Sequence, residues 1–394
     1  MTVMPKGFRF AAVEANLKYS GRTDLAMIAS DTPASTAGVF TTNKFQAAPV
    51  LQCRAMLERS RKHSAFLMNA GSANACTGDE GMRNCRETLN MAAEATGVPA
   101  DEILPASTGV IGMQFDMDKW RAAMPALAES LGKSAPEDVS EAIMTTDTRP
   151  KLVSTSVELS GGEVRLLGMC KGAGMISPNM ATLLAFVCCD ADVDPLRWQE
   201  IFEYCADNSF NRVTVDGDTS TNDTYMGLAN GASGVRAETE EDLRTLCDVL
   251  LRISQELAYM IVEDAEGGTK VARIEVKGAR DEIDAELVAR AIGASPLVKT
   301  ALFGCDANWG RIMCAAGYSG AEFDPGAVSL DIGGIRIFEK GMPVPGDMDA
   351  LLEPVMNEVD IPITVTLGSG PGTASLLASD LTKEYVEINA DYRS

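Results

Sequence analysis

Short strand-like runs alternate with amphipathic helical runs along the whole 394-residue chain, and this alternation constrains the fold more than any other feature. It predicts a layered α/β structure. Strands are expected at Thr23–Ser30, Ala37–Thr42, Ala65–Asn69, Val271–Val276, Val328–Phe338, Ile361–Leu367 and Glu384–Asn389. Lys151–Glu158 and Glu163–Met169 flank Ser160-Gly161-Gly162 and read as a hairpin. Helices are expected over Asn84–Thr96, over Asp118–Lys133 with Pro125 as a kink or break, and over Asp284–Ile292. Another should open at Ser134, as N-cap, with Glu137 three residues on. Asp194-Pro195 should start one running to about Asn208. The best helical pattern is Glu240–Glu263, where Leu243, Leu246, Leu250, Leu251, Ile253 and Leu257 form an apolar stripe. Gly/Pro-rich turns fall at Glu339–Gly346 and at Gly368–Gly372, the latter read as a turn into a short helix.

Charge and composition narrow the function. Lys and Arg total 34 and Asp and Glu total 56, a formal charge of −22 that repels nucleic acid and anionic membrane. The longest apolar stretch, Met180–Cys189, is ten residues, short of the ~18 a membrane span needs. The first residues show no apolar core of a secretory signal. Ten cysteines occur without a C-x-x-C pair, so reduced, mostly buried thiols in a cytoplasmic protein are expected. The one histidine, His63, follows Glu58-Arg59-Ser60-Arg61-Lys62 and reads as part of a solvated helix end. A zinc site is therefore not expected, no metal is predicted, and a Ser-His-Asp or Cys-His machine has no base.

Three polar, small-residue segments adjoin apolar strands: Asn69–Gly78, Ala106–Gly112 and Lys171–Thr182. Small residues let backbone N–H groups approach a ligand, which suits an oxyanion or carboxylate. Phosphate-loop spacings are missing, and Pro371 spoils Gly368-Ser369-Gly370-Pro371-Gly372 as a dinucleotide turn. Asp216–Asp223 has alternate acidic groups but no glutamate at the twelfth loop position for calcium.

The third segment, K-G-A-G-M-I-S-P-N-M-A-T-L-L-A-F from Lys171, resembles the self-cleavage signature of the ornithine acetyltransferase family, the glutamate N-acetyltransferases of arginine biosynthesis. The likeness spans the chain through Thr41-Thr42-Asn43, Asn69–Gly78, Ser107-Thr108-Gly109, Thr145-Thr146-Asp147-Thr148, Phe210–Thr224, Glu266–Lys270, Asn308–Ile312 and Asn389–Ser394.

The resemblance implies an α/β sandwich of the ornithine acetyltransferase and aminopeptidase type, cut between Ala181 and Thr182 into chains 1–181 and 182–394. A smaller C-terminal domain over about 270–394 is a further expectation. Thr182 would be the nucleophile. Its freed α-amine, with an ordinary pKa of ~7.7–8.0, would serve as its base. Thr108 and Gly109 would stabilise the oxyanion. Thr148, Lys171, Thr182, Glu266, Asn389 and the C-terminal Ser394 would bind substrate, Ser394 standing where many relatives have Thr. The implied reaction is ping-pong transfer of acetyl from N2-acetyl-L-ornithine to L-glutamate. Part of the family also takes acetyl from acetyl-CoA; no cofactor is implied. The two chains would pair into a heterotetramer in the cytoplasm. The alternative is a self-processing amidohydrolase or aminopeptidase with water as acceptor, and a third reading is a binding protein that never cleaves.

Overall fold

The computed structural model describes residues 2–177 and 183–391, and divides the chain into two compact units. One comprises the chain up to Asn211 together with Asp218–Ile261; the other comprises Arg212–Gly217 and the chain from Val262.

The first unit is built on strands β1 (Phe8–Val13), β2 (Leu25–Phe40), β3 (Lys62–Asn69), β4 (Ile103–Ser107), β5 (Lys151–Leu159), β6 (Gly162–Lys171) and β7 (Leu184–Cys189), then, past β8 (Val213–Thr214) of the second unit, β9 (Thr224–Ala229). The sheet runs β4-β3-β2-β9-β7-β6-β5, with β1 paired to β2 off that path. The central strand β7 is Leu-Ala-Phe-Val-Cys-Cys, buried at every position, as a strand covered on both faces must be. On one face, Leu167, Met169, Phe186 and Met226 join a core completed by helices Ala48–Arg59, Gly78–Thr96 and Met117–Ser130. On the other, helices press on strand glycines. A Cβ at Gly227 would lie 2.1 Å from the ring of Phe202, in helix Pro195–Asp207. One at Gly168 would lie 2.6 Å from Ile253, in helix Glu240–Glu263. The layered α/β arrangement expected from the alternating pattern is the one found.

The second unit has strands β10 (Val271–Ala279), β11 (Ser329–Ile332), β12 (Ile335–Glu339), β13 (Met342–Pro343), β14 (Asp360–Thr366) and β15 (Gly372–Ser379). With β8 they form a sheet in the order β13-β12-β11-β14-β10-β15-β8. Along β10, Ala272, Ile274 and Val276 face a core with helices Glu282–Gly293 and Met348–Asn357, while Arg273, Glu275 and Lys277 are exposed. This is the alternation of a sheet with one wet face.

Several local expectations are corrected. Thr23–Ser30 and Ala37–Thr42 belong to one 16-residue strand, β2, whose register shifts between Ala29 and Ala34. Pro125 lies inside a helix that continues to Ser130. Ser134 does not cap the next helix, whose N-cap is Ala135; its hydroxyl accepts from Ala12 N instead, at 3.1 Å. Val328–Phe338 is a hairpin broken at Gly333-Gly334. Gly368–Gly372 leads into a strand, and Glu384–Asn389 lies in helix Lys383–Asp391. His63 sits not on a solvated helix end but in β3, fully buried, with both ring nitrogens lacking a hydrogen-bond partner. All ten cysteines are free thiols, six of them buried.

Candidate active site

Strands β3 and β4 are parallel and end side by side at Asn69 and Ser107. Each runs into a small-residue segment, and the two segments are zipped together. Thr108 N donates to Asn69 O at 3.0 Å, Val110 N to Gly71 O at 3.1 Å, and Ala73 N to Val110 O at 3.0 Å. Gly109, at φ +127°, makes the close approach. A Cβ there would lie 2.3 Å from the carbonyl carbon of Gly71, so only glycine fits. Thr108 and Gly109 are thus neighbours on a partly exposed loop clamped at both sides.

The turn over residues 219–224 ties this loop pair to the start of β7. Asn222 Nδ2 donates to Ala73 O at 2.6 Å and to Ser107 O at 2.8 Å. The Thr41-Thr42-Asn43 motif braces the turn from outside. Thr41 Oγ1 donates to Ser220 O at 2.8 Å, and Asn43 Nδ2 donates to Thr219 O at 2.9 Å. Asp223 is 1% exposed. Burial, the largest influence, pushes its carboxyl well above the usual carboxylate range. The Leu183 N–H, the hydroxyls of Thr41 and Ser220 and the charge of Lys171 oppose that rise.

Lys171 ends β6 and pairs with Leu184, the first residue of β7. Its Nζ donates to Thr145 Oγ1 at 2.8 Å and stands 3.9 Å from Asp147 Oδ2. Asp147 also accepts from Lys151 Nζ at 2.7 Å and from Gly172 N at 2.6 Å. Burial would raise its pKa. The charges of Lys171 and Lys151, with the two hydrogen bonds, prevail and hold it at about 2. Thr148 follows Asp147 directly and is exposed.

Glu266 and Asn389 meet in the second unit, where Asn389 Nδ2 donates to Glu266 Oε2 at 2.7 Å. Gly267, at φ +64°, lets the C-terminal helix come this near, since a Cβ there would lie 2.7 Å from Tyr385 N. Ala181, Thr182 and Ser394 lie outside the described residues. The described residues nearest the 181–182 bond are held by the same turn. Thr219 Oγ1 donates to Ser177 O at 2.9 Å, and Thr224 N donates to Leu183 O at 2.9 Å.

The structure therefore gathers Thr108 and Gly109 at one loop joint, and Lys171 with the Asp147-Thr148 bend, in the first unit. Glu266 and Asn389 pair in the second. Chemically, small-residue loops with a nearby buried cation suit an acyl group whose carbonyl becomes an oxyanion and whose carrier bears a carboxylate. Among the described residues, no group of His, Cys, Asp and Glu could hold a metal ion. Asp147, Lys151, Asn222 and Asp223 were assigned no role from sequence. Each sits inside or beside a hydroxyl-rich motif, and that clustering of short polar residues next to apolar strands was the available signal.

A family model described as the ArgJ family matches residues 9–394. The chain belongs to the ArgJ family. The arginine biosynthesis bifunctional protein ArgJ of Nitratidesulfovibrio vulgaris is 55% identical over 394 residues, covering 100% of both chains. The protein of the same name from Geobacter sulfurreducens is 47% identical over 395 residues and covers 99% of each. Among solved structures, the ArgJ of Bacillus halodurans matches with a TM-score of 0.51 and 40% identity. It covers 52% of this chain and 98% of its own. The family read from the motifs is thus the right one. The segments that carry the resemblance fall on the zipped loops, the bracing turn, the Asp147 cluster and the Glu266–Asn389 pair described above.

Proposed function

We propose that this chain is a bifunctional acyltransferase of arginine biosynthesis, an ornithine acetyltransferase and N-acetylglutamate synthase, that matures by cutting itself before Thr182. It moves acetyl from N2-acetyl-L-ornithine to L-glutamate, and it also loads acetyl from acetyl-CoA as a co-substrate, with no cofactor. The end-to-end match to curated relatives named as arginine biosynthesis bifunctional proteins carries this reading. The self-cleavage is supported by chain lengths: the relatives match over the full chain, whereas the Bacillus halodurans crystal chain accounts for 98% of itself over only 52% of this one.

In maturation, Thr182 Oγ attacks the Ala181 carbonyl carbon. The Oγ–C bond forms, the C–N bond breaks, and the hydroxyl proton ends on the Thr182 nitrogen. Water then hydrolyses the ester, leaving the Ala181 carboxylate and restoring the hydroxyl. In catalysis the freed amine takes the hydroxyl proton as Oγ attacks the acetyl carbonyl. That proton passes to the departing ornithine nitrogen. The α-amine of glutamate then attacks the acetyl ester, forms the amide and returns a proton to Oγ. Thr108 and Gly109 stabilise the tetrahedral oxyanions, at ~3–4 kcal/mol per well-placed donor. Lys171 meets the α-carboxylate common to both acetylated substrates, with Thr148 beside it. Glu266 receives the ornithine amino end, and Asn389 and Ser394 close the site. The two chains stay together and pair into a heterotetramer in the cytoplasm.

The test is end-group sequencing and intact mass of the active protein, with acetylornithine and acetyl-CoA assayed separately as donors. A new terminus Thr-Leu-Leu-Ala, and ornithine release that requires glutamate, are expected. A single uncut active chain, or ornithine release to water alone, overturns the reading.

A further inference from the structure

We propose that Lys151 is a positioning residue for substrate recognition: by offsetting the buried charge of Asp147, it leaves Lys171 a net cation for the α-carboxylate that N2-acetylornithine and glutamate share. The inference rests on the reading of Lys171 as the residue that meets that carboxylate.

Three charged side chains leave water together here. Lys151 opens β5, Lys171 closes β6, and Asp147 lies in the bend between helix Pro136–Ala142 and β5. The Lys151 and Asp147 side chains have no exposed surface, and that of Lys171 is 10% exposed. Asp147 orders the backbone around the Lys171 amine. Its Oδ1 accepts from Gly172 N at 2.6 Å, and its Oδ2 accepts from Thr145 N at 3.1 Å. Thr145 Oγ1 in turn accepts from Lys171 Nζ at 2.8 Å. An anion in that place has a consequence. At 3.9 Å from Nζ, Asp147 Oδ2 is too far for a hydrogen bond but close enough, shielded from water, to cancel much of the ammonium field. Asp147 and Lys171 alone would offer a substrate carboxylate a dipole rather than a cation.

Lys151 changes that sum. Its Nζ donates at 2.7 Å to Oδ1, the other oxygen of the same carboxylate. Its own place is fixed by Ser140, whose Oγ accepts from Lys151 N and donates to Lys151 O, each at 3.2 Å. It is also fixed by its register opposite Cys170, the residue before Lys171. Two ammonium groups against one carboxylate leave one positive charge over, and Lys171 is the member with exposed surface. A second carboxyl, that of Asp223, faces the Lys171 charge, but burial favours its uncharged form. Stability alone does not call for a buried ion pair, since a well-packed apolar pair of similar volume serves as well. What this pair adds is an anion that orders the Lys171 backbone without neutralising its charge.

The experiment measures kcat, and KM for N2-acetyl-L-ornithine, L-glutamate and acetyl-CoA, on the purified protein as Lys151→Met, as Lys151→Met with Asp147→Asn, and as Lys171→Ala. Acetyl-CoA carries no α-carboxylate. Lys151→Met should raise KM for acetylornithine and for glutamate by about 10-fold, with kcat and the KM for acetyl-CoA within about threefold of wild type. A distorted site would move all of these together, and that result overturns the proposal, as does a wild-type KM for either amino-acid substrate. The double variant removes cation and anion at once, so both of those KM values should return to within about threefold of wild type. Values as high as in the single variant overturn the proposal. The double variant also decides the matter if Lys151→Met does not fold, a rise of about 10-fold or more counting against it. Lys171→Ala separates this from the underlying reading. An unchanged KM for both amino-acid substrates in that variant removes Lys171 as the carboxylate site and the proposal with it. A raised KM there, beside wild-type values in Lys151→Met, removes only the role of Lys151.

Discussion

Lys151 donates to Asp147 across 2.7 Å, and neither side chain is exposed. Each charge has left water only because the other is there. Removing one partner leaves the other buried and uncompensated, at about 3–5 kcal/mol. Lys151→Met keeps the chain length and loses the charge. A fall in the urea midpoint corresponding to that range is expected, and a midpoint equal to wild type contradicts it.

His63 predicts an acid-sensitive stability. Burial, the largest influence, lowers its pKa from 6.5 to about 4, with Asp101 opposing and Arg59 and Arg61 reinforcing. Above pH 6.5 the ring is neutral folded or unfolded, and it contributes no pH dependence. As pH falls from 6.5 toward 4, the unfolded chain takes up a proton that the folded ring refuses, so stability declines by about 3 kcal/mol. His63→Leu should flatten this limb between pH 7 and pH 4.5 in urea titrations. An unchanged slope would rule the assignment out.

Gly109→Ala places a methyl 2.3 Å from the Gly71 carbonyl carbon at a φ of +127°. The zipped loops must part. A loss of about 2–3 orders of magnitude in kcat is expected, as for removal of an oxyanion donor, with slowed cleavage. Retention of more than a tenth of wild-type kcat runs against it.

Lys171→Ala tests the shared carboxylate. Losing a charge-assisted hydrogen bond should raise KM for N2-acetylornithine and for glutamate alike, by about 10- to 100-fold. A KM unchanged for both substrates, or raised for one alone, would show that Lys171 does not read the group they have in common.

The elements with strong local signals were legible in the sequence. The hairpin at Ser160-Gly161, the helix capped by Asp194 and the long helix Glu240–Glu263 stand as read, because turn chemistry, capping and an apolar stripe are local. Elements decided by distant partners were not. Ser134 gives its hydroxyl to β1 and to Ser130 rather than to its own helix. The C-terminal segment has the composition of a strand, yet it is a helix whose Asn389 reaches Glu266. His63 looked solvated because its neighbours in sequence are charged, but the strand carries it inward. At the site, Lys171 and the glycine of the Ser107-Thr108-Gly109 motif could be named from sequence. Asp147 and Asp223, whose importance lies in what surrounds them in three dimensions, could not.

The strand order has one further consequence. β9 and β7 lie next to each other inside the sheet, bounded by β2 on one side and β6 on the other. A break before Thr182 would assign β7 and β9 to one product and both flanking strands to the other. Each product would then be threaded through its partner by six paired residues at either seam, β2 to β9 and β6 to β7. Scission therefore relieves a topological tether without loosening the molecule, and the halves should come apart only when the whole unit melts.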